Sequence, residues 1–68
     1  MKGKIAAFYG AAVLNREHEQ VATLPNETQV EVNGEPVILM GKGEYLPVKG
    51  NGAIEGYVKV AQVAVDPQ

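Results

Sequence analysis

Gly56-Tyr57-Val58, near the end of a chain of 68 residues, is the stretch from which the fold is read. Glycine lets a backbone turn or approach a neighbour closely, and the aromatic and the valine that follow take opposite faces of a strand. The step suits a late strand of a small closed barrel. Just upstream, Gly50-Asn51-Gly52 marks a turn, and Glu44-Tyr45-Leu46-Pro47-Val48-Lys49 reads as the strand before it. Proline has no N–H to give a ladder, so Pro47 argues for an edge or a bulge. Gly41-Lys42-Gly43 is another turn, and Val37-Ile38-Leu39-Met40 ahead of it is apolar on both faces.

Further towards the N-terminus, Thr28-Gln29-Val30-Glu31-Val32 alternates, with Thr28, Val30 and Val32 on one face. That period of two is the mark of a strand with one buried side. Asn33-Gly34 follows at once and predicts a tight hairpin, because both residues tolerate positive φ. Pro36 belongs at a strand start or on an edge. Val21-Ala22-Thr23-Leu24 is a short strand ended by Pro25-Asn26-Glu27, and Arg16 to Gln20 is a polar loop. Two apolar runs, residues 4–9 and 11–15, are separated by a bend at Gly10. At the other end residues 60–65 close the chain, with room for a short 3₁₀ turn, and Asp66-Pro67-Gln68 reads as a frayed tail.

Turn signals recur at intervals of about eight to twelve residues, which predicts an all-β barrel or sandwich. The length holds a single domain, residues 1–68, with a core over about 4–65. A chain this short buries little apolar surface, so a small antiparallel barrel of about five or six strands is the expectation, since closure removes exposed strand edges. There is no cysteine, hence no disulfide and no thiolate zinc site. Six basic residues against eight acidic ones give a net charge of −2, with no electrostatic pull towards nucleic acid or an anionic membrane. Lys2 and Lys4 before Ile5-Ala6-Ala7-Phe8-Tyr9 imitate the start of a signal peptide, but Gly10 ends the apolar run too early. No export signal is read, which implies a soluble, cytoplasmic chain unless it is an excised domain.

The order of these elements resembles the bacterial Src-homology-3-type domains found beside cell-wall hydrolases and in envelope or phage proteins. Val13-Leu14-Asn15-Arg16 is similar to that family's opening step, and Val21-Ala22-Thr23-Leu24 to its second element. Residues 25–32 correspond to its turn and alternating strand, Tyr45 to Val48 to its tryptophan strand, and Asn51-Gly52 with Gly56-Tyr57-Val58 to its end. The resemblance spans residues 4–65. Tyr45 stands in place of tryptophan, Pro47 interrupts that strand, and the loop after Arg16 is shorter than the family's. The resemblance implies a non-catalytic barrel that binds a peptide or a cell-wall-like glycopeptide.

Chemistry-bearing groups are few. Glu17-His18-Glu19 holds the single histidine, with no second histidine or cysteine to complete a metal site, and reads as a solvated loop. Serine is also absent, so neither Ser-His-Asp nor Cys-His catalysis can be assembled, and no enzyme, cofactor or metal is expected. Gly41-Lys42-Gly43 and Gly50-Asn51-Gly52 lack P-loop spacing and are read as hairpin turns. Two surfaces remain. Either Tyr9, Tyr45 and Tyr57 line one ligand groove, or Phe8 and one or two of the tyrosines fill the core. Val37, Ile38, Leu39 and Met40 send two side chains outward, which are either covered by a loop or meet another chain. The leading expectation is a module that binds a peptide, glycopeptide or protein through the tyrosines. The alternative is an assembly module that self-associates through Val37–Met40, as a homo-oligomer or inside a larger complex.

Overall fold

The computed structural model describes residues 1–50 and 54–65, and these hold eight strands. They are β1 (Lys2–Ile5), β2 (Ala11–Leu14), β3 (Gln20–Leu24), β4 (Gln29–Val32), β5 (Val37–Ile38), β6 (Glu44–Lys49), β7 (Glu55–Lys59) and β8 (Val63–Val65). A 3₁₀ turn, Val60–Gln62, links β7 to β8. All pairings are antiparallel, in the order β3-β2-β7-β6-β4-β1-β8, with β5 added beside β6.

The protein is therefore all-β and antiparallel, but the expected closed barrel of five or six strands is an open sheet of eight. The count rises because β2, β3 and β5 each hold a ladder of their own. Among the described residues no ladder joins β3 to β8. Side chains do meet around the sheet: Leu24 of β3 and Val63 of β8 share one buried cluster with Ile5, Val13, Val30, Val48 and Val58. The sheet thus curls over a common core without closing its hydrogen bonding.

Alternation explains which residues face that core. Val30 and Val32 are buried on β4 while Gln29 and Glu31 are exposed. Leu46 and Val48 point inward on β6, opposite Val58 and Gly56 of β7. The outward residues of β1, β4 and β6 fall in a row, Lys2 beside Glu31 and Glu31 beside Lys49, so opposite charges are neighbours. The N-terminal ammonium adds to this row, 3.3 Å from Glu31 Oε1.

The tight Asn33-Gly34 hairpin does not form. β4 and β5 do not pair with each other; both pair with β6. Val32 lies opposite Val48, yet Val37 lies opposite Tyr45, so the four residues 33–36 face only Leu46 and Pro47. This is a bulge of two extra residues. Neither Asn33 nor Gly34 has positive φ, which a type I′ turn would need at both. Instead the Asn33 N–H donates to the Pro47 carbonyl, extending the β4–β6 ladder. Pro47, which lacks an N–H, occupies the place where that ladder is interrupted.

Two further expectations are corrected here, and two others lie outside the described residues. The first strand ends at Ile5 rather than running to residue 9, because the chain turns at Ala7 to Gly10, with Gly10 N–H donating to the Ala7 carbonyl. Phe8, weighed as a core residue, is consequently 84% exposed. The turn at Gly50-Asn51-Gly52 and the tail Asp66-Pro67-Gln68 reach beyond the described residues.

Candidate functional site

The outer face of β2, β7 and β6 carries a second, smaller cluster. Leu14 pairs with Tyr57, and Tyr57 with Pro47, placing these three side by side. Tyr45, two residues before Pro47, lies on the same face. Leu14, Leu39 and Tyr45 are buried together, with Ala12 and Tyr57 packed against them. Leu39 reaches the cluster from the loop after β5, and thereby covers it.

His18 seals one side. The loop that carries it is built around Asn15, whose Oδ1 accepts from the N–H groups of Glu17 and Glu19, both at 2.9 Å. The Asn15 N–H donates to the Glu19 carbonyl, closing the turn. His18 adopts φ 65, a left-handed conformation that turns its ring back towards the sheet. Its Nε2 shares a 2.8 Å hydrogen bond with the Tyr45 hydroxyl, and the two rings meet edge-on. Sequence placed His18 in a solvated loop; the structure makes it the polar partner of a tyrosine with only 2% exposure.

The three tyrosines are not gathered in one groove. Tyr45 is buried under Leu39 and His18, so its ring face is unavailable to a ligand. Tyr9 is 93% exposed at the β1–β2 turn and stacks edge-on with Phe8, at 4.9 Å between centroids. It enters neither cluster. Tyr57 is half-buried on the outer face while Val58 is fully buried, the opposite-face arrangement that strand geometry requires. Tyr57 lines a shallow depression of about 350 Å³, together with Pro47, Arg16, Asn33 and Glu55, and Tyr45 borders a different one, beside Lys59 and Ala61. Arg16 makes no ion pair among the described residues. Its place there was not legible in sequence, because it depends on the bulge that carries Asn33 across to Pro47.

Val37–Met40 divides differently. Leu39 is buried, whereas Val37, Ile38 and Met40 are 38%, 67% and 63% exposed. Three side chains stand outward rather than the two expected, because Met40 leaves the strand in a left-handed conformation, φ 51. Among the described residues no cluster of three or more histidines or carboxylates could hold a metal ion. No helix is long and apolar enough to cross a membrane.

Compared with known proteins, the chain matches no family model, no curated protein and no solved structure.

Proposed function

We propose that the protein is a non-catalytic protein-interaction module whose contact surface is the β5 edge. One observation carries this reading: Val37 and Ile38 of a two-residue edge strand and Met40 just after it are exposed, while Leu39 anchors the same segment in the fold. An apolar group at an edge, held rigidly from beneath, is a surface suited to another chain. The inventory of reactive side chains supports the non-catalytic part, since serine and cysteine are absent and the single histidine is engaged with Tyr45. Of the resemblance to Src-homology-3-type domains, the antiparallel all-β sheet and the late Gly-Tyr-Val step are what remain in its support; the aromatic groove retains only Tyr57.

The test is an amide chemical-shift titration with a short acetylated peptide of alternating valine and threonine. Shifts confined to residues 36–40 and their β6 partners are expected, and Ile38→Asp should remove them while leaving the spectrum dispersed. Shifts centred on Arg16, Pro47 and Tyr57 would move the contact surface to the depression there and sink the β5 reading in favour of peptide binding at Tyr57.

A further inference from the structure

We infer that the β5 edge pairs with a second copy of this chain across a two-fold axis centred on Ile38. The inference rests on the interaction reading above and names its partner. The backbone argument comes first. The Leu39 N–H donates to the Gly43 carbonyl, on the β6 side. Backbone groups of alternate residues point the same way along a strand, so Val37 also faces β6 and Ile38 faces away. Among the described residues no backbone bond outside the ladders reaches Ile38. Its N–H and carbonyl are thus the free groups of the edge.

The free edge is one residue wide. At the next outward position on one side stands Pro36, which has no N–H. At the next on the other side Met40 turns the chain away with φ 51. A long foreign strand therefore gains no ladder beyond Ile38. A second copy loses nothing by this limit. In an antiparallel contact with Ile38 on the axis, each Ile38 N–H donates to the carbonyl of the other, and both free pairs are satisfied at once. Such a contact is isologous and closes on itself, so it yields dimers rather than fibres.

The side chains complement the same arrangement. Antiparallel pairing lays the two exposed Ile38 side chains against each other on one face of the sheet, while Val37 takes the opposite face. Glu35, ahead of the edge, and Lys42, in the turn after it, are both exposed, and neither is ion-paired among the described residues. Glu44, opposite Ile38 in the β5–β6 ladder, falls at the outer rim, where a charged group remains hydrated.

The chain has no cysteine, so a single introduced thiol is an unambiguous probe. In a hydrogen-bonded antiparallel pair the Cα atoms are about 5.5 Å apart, within disulfide range. Mild oxidation of Ile38→Cys should give a cross-linked dimer at least about tenfold faster than Phe8→Cys or Val21→Cys, of which one is more and one less exposed than Ile38 and both are remote from β5. Sedimentation equilibrium up to about 1 mM should show a dimer for the unaltered chain, and Ile38→Asp should weaken it at least about tenfold. Faster cross-linking at Phe8 or Val21 would overturn the inference, as would a strict monomer whose three thiol variants react alike. In either case binding of the apolar peptide at residues 36–40 would leave the interaction reading standing, whereas its absence would remove both.

Discussion

Gly56 is a glycine because two neighbours leave no room for anything else. It faces the core beside Val58, and a Cβ there would lie 2.5 Å from Val13 Cγ1 and 2.7 Å from the Leu14 carbonyl oxygen. The valine could rotate, but the carbonyl belongs to the neighbouring strand β2 and cannot move without parting it from β7. Gly56→Ala should therefore cost about 3 kcal/mol, the upper range for overpacking a small core. For a chain whose whole stability is roughly 3–10 kcal/mol, that is a large fraction. Urea denaturation would measure it, and a loss under about 1 kcal/mol would mean that β2 and β7 can separate at this point.

At the scale of elements, the second cluster depends on a loop rather than on a strand. Leu39 is its lid, with Leu14 and Tyr45 beneath it. Leu39→Ala should cost about 2–3 kcal/mol by removing a buried leucine from a site that can partly collapse. The main core contains none of these residues, so the amide spectrum should stay dispersed, with changes concentrated at His18, Tyr45 and Tyr57. Global loss of dispersion would mean that the two clusters form one cooperative unit. Strands were legible in sequence where alternation met a buried face, as in Thr28 to Val32, and Pro47 announced its bulge. The Asn33-Gly34 pair misled because tolerance of positive φ permits a hairpin and does not compel one. Pairing of both flanking strands with β6 decided against it. The tyrosines were alike in sequence and differ in the structure for a similar reason. Register places Tyr45 beneath Leu39, while the early turn at Ala7 to Gly10 leaves Tyr9 in solvent.

Taken as a whole molecule, the sheet is held together by its two ends. β1 lies between β4 and β8, and its residues Gly3, Lys4 and Ile5 pair with Val65, Ala64 and Val63. The Ala6 N–H continues this seam by donating to the Gln62 carbonyl. Ile5 is fully buried and Val63 nearly so, both in the main core. A chain cut after Gln62 would lose the Val63 side chain, worth about 2 kcal/mol of burial, and with it the ladder that shields β1. It would also leave Ile5 at an open edge. Together these losses are a large fraction of the stability available to so small a domain. The fragment 1–62 should therefore lack the β-sheet signature in far-UV circular dichroism and show collapsed amide dispersion. Because only a short edge is missing, a synthetic peptide that carries Val63–Val65 should restore both signals by adding back as β8. A fragment that folds unaided would show that β4 alone holds β1, and that β8 is an appendage to the core rather than one of its walls.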